Sequence, residues 1–345
     1  MKNICFVVPT GDSIGGITTW FNIITEQAGS KINIFTIDTS LKNNIYSKKI
    51  HFIRLFKQFI RSFKQKRQFN NICRNNSIDV LHIATNGGKG FYRDLKLLKA
   101  AKKRNIPTIL HFHYGRFREE HSGNGIASKL CRKCCGIADY LIFINEESFE
   151  YAKKTYKNAQ LIYNPISLEK YSYTANSTKY LFLGNVFKEK GIMELINAFT
   201  KFNKDNLFEL LVIGPYNDDY YQTLPKNNKI RFVGKMPHDR AMNELKGARA
   251  LILPSYTEGM PYCILEAMAR GIPVVASKVG NINEIVGDCG FLIKPKSEDD
   301  LMEKLNLTLD ETLMADLSKK SYQRIKQYFS SETIIEKLFT IWGVL

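Results

Sequence analysis

No apolar run in the 345 residues approaches the roughly 20 consecutive apolar positions that a membrane-crossing helix needs. The opening Met1 to Pro9 is apolar too briefly for a secretory leader and reads as a strand. Cysteine is scarce: the seven residues are odd in number and lack framework spacing, which suits reduced thiols in a cytoplasm rather than a disulfide scaffold. Cys131, Cys134 and Cys135 have no second Cys or His pair at finger-like spacing, so no metal site is expected. Internal repeats and low-complexity tracts are absent. So is any nucleic-acid recognition module, which argues against a nucleic-acid binder despite the basic charge. Between Thr39 and Ile78 there is not one Asp or Glu.

That last gap leads to what is present. The net charge is +17, and it is lopsided: residues 1–170 hold 28 Lys and Arg against 12 Asp and Glu, a net +16, leaving +1 for the rest. A basic half can face an acidic substrate or an anionic membrane surface. Residues 48–74 carry nine cationic side chains (Lys48, Lys49, Arg54, Lys57, Arg61, Lys64, Lys66, Arg67 and Arg74). Phe52, Phe56, Phe59 and Phe63 recur among them at helical spacing, with Ile53 and Ile60 alongside. An aromatic face with cationic flanks suits an interfacial helix on anionic lipid, and it equally suits a helix covering a sheet.

The length fits two domains, and the pattern agrees. Short β-branched runs alternate with helical stretches, as in parallel sheets. Strands are expected at Ile4–Val8, Ile32–Ile37, Asp79–Ala84, from Thr108, and at Tyr140–Asn145. After a Ser-, Thr- and Tyr-rich linker at 167–178 they resume at Tyr180, Phe208, Ile230, Ala250, Pro273 and Phe291. Gly15 and Gly16 precede a helix, where glycine lets backbone approach a ligand closely. His111 and His113 share a strand face, and His113 lies nearer the carboxyl end where ligands of open α/β sheets gather. Arg116, Arg118, His121, Gly123 and Gly125 read as a basic loop nearby. Lys190, at a helix start, can neutralise a diphosphate.

The densest pattern is Glu258-Gly-Met-Pro-Tyr-Cys-Ile-Leu-Glu266 followed by Ala-Met-Ala-Arg-Gly271. A buried strand runs into a polar turn, then into a helix predicted from Pro261 to Arg270. Pro261 suits the first helical position and Gly271 a left-handed stop. The helix start at Pro261 offers the free N–H groups of Tyr262 and Cys263 to an anion. Glu258 and Glu266 can accept hydrogen bonds from sugar hydroxyls.

With Gly271-Ile-Pro-Val-Val-Ala276 and Gly280-Asn-Ile-Asn-Glu284, this stretch resembles the donor site of family-4 retaining glycosyltransferases of the GT-B fold. The resemblance implies an α/β protein with two Rossmann-like parallel-sheet domains facing across a cleft: 1–170 on the acceptor side, 171–328 for the nucleotide sugar, and a helix at 329–345 returning to the first. It implies transfer of a hexose from a nucleotide diphosphate sugar, UDP before GDP, to a hydroxyl of a glycan or lipid-diphosphate-linked acceptor in surface polysaccharide synthesis. No metal or cofactor is implied. The setting would be cytoplasmic, peripheral on the inner face of the cell membrane. His113, with His111 as the other candidate, would position the transferred sugar, with Glu258 and the amides of Gly259 and Met260 near the reacting carbon. Glu266 would hold the ribose, and Gly15, Gly16, Asn185 and Lys190 would line the diphosphate. Many relatives have Arg at the position of Asn185, a departure that leaves a catalytically silent partner subunit as an alternative, beside a nucleotide-sugar epimerase on the same fold.

Overall fold

A computed structural model describes residues 1–10, 15–40 and 51–344, with the side chains of 51–59 left aside. It divides into two compact units, Met1–Pro165 with Ser331–Leu345, and Ile166–Ser330. In the first unit the strands are β1 (Lys2–Val8), β2 (Ile32–Asp38), β3 (Val80–Thr85), β4 (Thr108–Phe112), β5 (Tyr140–Phe143) and β6 (Ala159–Leu161). They form one parallel sheet in the order β2-β1-β3-β4-β5-β6. In the second unit β7 (Lys179–Leu183), β8 (Glu209–Ile213), β9 (Ile230–Gly234), β10 (Ala250–Leu253), β11 (Val274–Ser277) and β12 (Phe291–Ile293) are also parallel, ordered β12-β11-β10-β7-β8-β9. These are the Rossmann-like sheets that the strand–helix alternation predicts.

Helices on both faces bury the strands from two sides, so the central strands are apolar runs rather than alternating ones. Every residue of β3, β4, β10 and β11 is buried. The strand order reverses between β1 and β3 in one sheet and between β7 and β10 in the other. At such a reversal the loops leaving two neighbouring strands diverge, opening a crevice at the carboxyl ends where ligands of this architecture bind.

Two local expectations are corrected. Residues 117–122 form a helix, Phe117–Ser122, not a loop. Phe117 and His121, four apart on one face, are both buried, and His121 Nε2 lies 2.8 Å from the Tyr156 hydroxyl. That apolar anchor outweighs the basic, glycine-flanked composition around it. Pro261 sits before the helix Tyr262–Met268 with extended backbone (φ −73°, ψ 121°), so it is the residue preceding the first turn. Gly271 does take the left-handed conformation, φ +73°. Of the basic segment 48–74, residues 48–50 fall outside the described residues. From His51 onward it belongs to the helix His51–Asn75, on which Ile60 and Phe63 are 41% and 48% exposed while Phe69 is buried.

The helix Ser331–Trp342 belongs to the first unit and packs against the helix Gly16–Ala28. Its Trp342 is buried, and the indole Nε1–H donates to His82 Nδ1 at 3.1 Å. Replacing the indole by a phenyl ring strands that nitrogen in the interior. Trp342→Phe is therefore expected to lower unfolding free energy by about 1–3 kcal/mol, measured by urea denaturation; an unchanged midpoint would deny the contact its structural weight.

Candidate active site

In the second unit the strand order reverses between β7 and β10, and the loops that leave these two strands are stitched together. Gly191 ends the loop after β7 with φ +68°, and a Cβ there would lie 2.1 Å from the Pro254 carbonyl oxygen. Only glycine fits that approach. The Tyr256 amide then donates to the Glu189 carbonyl at 2.8 Å. This clamp sets Lys190, on the turn Lys188–Lys190, against Glu258 on the opposite loop, with Nζ 2.5 Å from Oε1. Ser255 Oγ donates to the same carboxylate oxygen at 2.7 Å. Both charged side chains are largely covered, 20% and 10% exposed, so their attraction is screened less than that of a surface pair.

A third loop, following β11, presses on the peptide after Glu258. Gly280 (φ +53°) would place a Cβ 2.2 Å from the Glu258 carbonyl oxygen, and the Asn281 amide donates to the Gly259 carbonyl at 2.9 Å. The chain through Gly259 and buried Met260 is thereby held as it enters the helix Tyr262–Met268. Cys263 lies in the first turn of that helix. Burial pushes its thiol pKa up, with further upward pressure from Glu258 and Glu266 and an opposing pull from Lys190. One side chain thus feels Lys190, Glu258 and Glu266 together, the three charged residues expected at the donor site.

Glu266 is buried on the same helix, and its Oε1 lies 2.7 Å from His238 Nε2. His238 opens the helix His238–Lys246 just after Pro237. Hydrogen bonding to Glu266 raises the His238 pKa above 6.5, burial opposes the rise, and the Glu266 and Asp239 charges add to it. Arg270 donates from a guanidinium NH to the Glu266 carbonyl at 2.9 Å. Tyr262 keeps its hydroxyl buried and, among the described residues, unbonded. Asn185 is exposed at the start of the β7 loop.

The remaining expected residues lie in the first unit. Gly15 immediately precedes the helix Gly16–Ala28; its φ of 169° is open to any residue, and among the described residues nothing lies within 4 Å of where its Cβ would be. His113 follows β4 directly, and its amide donates to the Thr85 carbonyl at 3.0 Å. Its ring lies 4.0 Å from that of His111 and 5.0 Å from that of Trp20. The residue is half-buried, yet both ring nitrogens are shielded and find no partner among the described residues. His111 Nδ1 sits 3.2 Å from His82 Nε2. Because His82 Nδ1 accepts from Trp342, its proton resides on Nε2 and is donated to His111. Burial lowers the pKa of His82 and His113 to about 3 and that of His111 well below 6.5, so the trio is neutral at physiological pH.

The geometry therefore gathers Lys190, Glu258, Cys263 and Glu266 at one place in the second unit, and His111 and His113 at one place in the first. Sequence reasoning passed over Ser255, His238, His82, Trp20 and Trp342. His82 alone carried a signal, being a polar residue inside an apolar strand run.

Two family models match the chain, one described as glycosyl transferases group 1 over residues 165–328 and one as glycosyltransferase family 4 over residues 25–170. An uncharacterised glycosyltransferase of Methanocaldococcus jannaschii is 27% identical over 91% of both chains. The capsular polysaccharide biosynthesis glycosyltransferase CapM of Staphylococcus aureus is 27% identical over 51% of this chain and 48% of its own. Among solved structures, Anabaena HepE in complex with UDP-glucose superposes with a TM-score of 0.75 at 17% identity, covering 100% of both chains. The chain belongs to the family-4 type of glycosyltransferases with the GT-B fold.

A raised His238 pKa means that its protonated form is favoured in the folded state. The associated stability is fully present below the unfolded value of about 6.5 and is lost as pH rises through the folded pKa. An NMR titration of His238 should show a midpoint above 6.5, and Glu266→Gln should bring it back down. A midpoint unmoved by that substitution would remove the ion pair as its cause.

Proposed function

We propose that this glycosyltransferase moves a hexose from a UDP-sugar, with retention of anomeric configuration, to a hydroxyl of a glycan or lipid-diphosphate-linked acceptor in surface polysaccharide synthesis. The observation that carries the reading is the convergence of Lys190, Glu258 and Glu266 around Cys263 where the β7 and β10 loops meet. Support for a nucleotide-sugar donor comes from HepE, whose structure holds UDP-glucose. Support for the polysaccharide setting comes from CapM.

In this reading the diphosphate enters beside Lys190 and takes over its ammonium. The transfer frees Glu258 to accept from a sugar hydroxyl near the reacting carbon, where the amides of Gly259 and Met260 donate. Charge developing on the departing diphosphate is met by Lys190 and by the backbone N–H groups of Tyr262 and Cys263 at the helix start, with Asn185 beside the same group. The proposed reaction therefore needs no metal ion. Glu266 accepts from the ribose hydroxyls, and His113 positions the hexose. One specific feature favours a second reading, a catalytically silent partner subunit: Asn185 brings no charge where the family resemblance implies Arg.

Charged hydrogen bonds contribute roughly 1.5–3 kcal/mol each. Glu266→Ala should accordingly lower kcat/KM by about tenfold to a few-hundredfold. The assay follows UDP release from UDP-hexoses with glycan acceptors, and NMR of the product reads the anomer. Unchanged turnover in the variant would remove the ribose assignment. An inverted product would remove retention, and no turnover with any donor would favour the silent subunit.

Membrane attachment is the last element of the reading, supported by exposed Ile60 and Phe63 on a helix that also carries Arg61, Lys64, Lys66 and Arg67. Co-sedimentation should be seen with anionic vesicles and not with zwitterionic ones, and should weaken in salt. Equal sedimentation with both would point away from an electrostatic contact.

A further inference from the structure

We propose that His238 is a positioning residue for nucleotide binding: its imidazole holds one oxygen of the Glu266 carboxylate so that the other is presented to the ribose. This rests on the reading that Glu266 holds the ribose. The two side chains come from different elements, His238 from the start of the helix His238–Lys246 and Glu266 from the helix Tyr262–Met268. They meet at 2.7 Å between Nε2 and Oε1. Glu266 is 8% exposed and His238 65%, so the imidazole closes over a carboxylate that the core has otherwise enclosed.

The division of labour follows from the carboxylate's two oxygens. Oε1 is occupied by His238, and Oε2 accepts no hydrogen bond among the described residues. Arg270 binds the Glu266 backbone carbonyl and not the carboxylate, and its guanidinium pairs instead with Glu169 at 3.2 Å. The buried Tyr262 hydroxyl donates to neither oxygen. Asp239 Oδ1 stands 3.9 Å from His238 Nδ1 and is fully exposed, a weak hold on the far side of the ring. His238 is therefore the one side chain among the described residues that fixes the rotation of the Glu266 carboxylate. A carboxylate free to rotate would have to be ordered on binding, and that cost would appear as lost affinity for the ribose hydroxyls.

The readout is the ratio of affinities for UDP and for 2′,3′-dideoxy-UDP, which lacks both ribose hydroxyls, measured by calorimetry on the full chain. The native protein should prefer UDP by about tenfold to a hundredfold. Glu266→Ala should bind the two alike; if it keeps the native preference, the ribose assignment of Glu266 fails, whatever His238 does. With that control met, His238→Ala should lose most of the preference while binding dideoxy-UDP as the native protein does. His238→Gln, which retains an N–H donor, should recover much of the loss. In the Glu266→Ala background His238→Ala should change nothing further. A native preference in His238→Ala, a preference that increases, or a Gln variant no better than Ala would overturn the positioning role.

Discussion

The approach of Gly191 to the Pro254 carbonyl, closer than any side chain permits, is the constraint on which the rest of the second unit's site depends. Strands β7 and β10 are neighbours in the sheet but are separated by more than sixty residues of chain. Their carboxyl-end loops would diverge without a tie. The glycine contact and the Tyr256-to-Glu189 hydrogen bond hold the two backbones together, and the Lys190–Glu258 pair follows from that registration. The Gly280 contact repeats the device one loop further on, pinning the peptide that carries Glu258. Rigid backbone thus places charged side chains whose own rotamers would otherwise be free.

Much of this was legible in the sequence, and the reason is physical. Parallel strands buried on both faces must be continuous apolar runs, and runs such as Ala250-Leu-Ile-Leu253 are visible without coordinates. The two glutamates and the proline and glycine around them are close in sequence, so their local geometry can be reasoned from spacing alone. What escaped were partnerships between distant segments. His238 reads as an ordinary helix-start residue until the fold carries Glu266 to it. His82 meets Trp342 across 260 positions, a pairing no local pattern encodes. The helix Phe117–Ser122 was misread because basic and glycine-rich composition marks loops, whereas burial of Phe117 and His121 decided the matter. Pro261 was placed one residue too far into its helix, the usual size of a boundary error.

The two units differ in how they manage buried polar groups. In the second, opposite charges meet: Lys190 with Glu258, His238 with Glu266. A cation that satisfies a carboxylate, as Lys190 does with Glu258, can satisfy a phosphate as well. In the first, three histidines are kept neutral by burial, and two of them are linked through directed hydrogen bonds from Trp342 to His82 to His111. A neutral imidazole can donate or accept as a sugar hydroxyl requires, whereas an imidazolium could only donate. Under the proposed function, charge would meet the diphosphate and neutral rings the sugar, as a glycosyl transfer through a charge-separated transition state asks of its surroundings.

A structure of the complex with UDP tests the central claim most directly. The account predicts a diphosphate oxygen within hydrogen-bonding distance of Lys190 Nζ, Glu258 released from that lysine, and the ribose hydroxyls on Glu266 Oε2 with His238 still on Oε1. A nucleotide bound elsewhere, or one bound there with the Lys190–Glu258 pair unbroken, would contradict it.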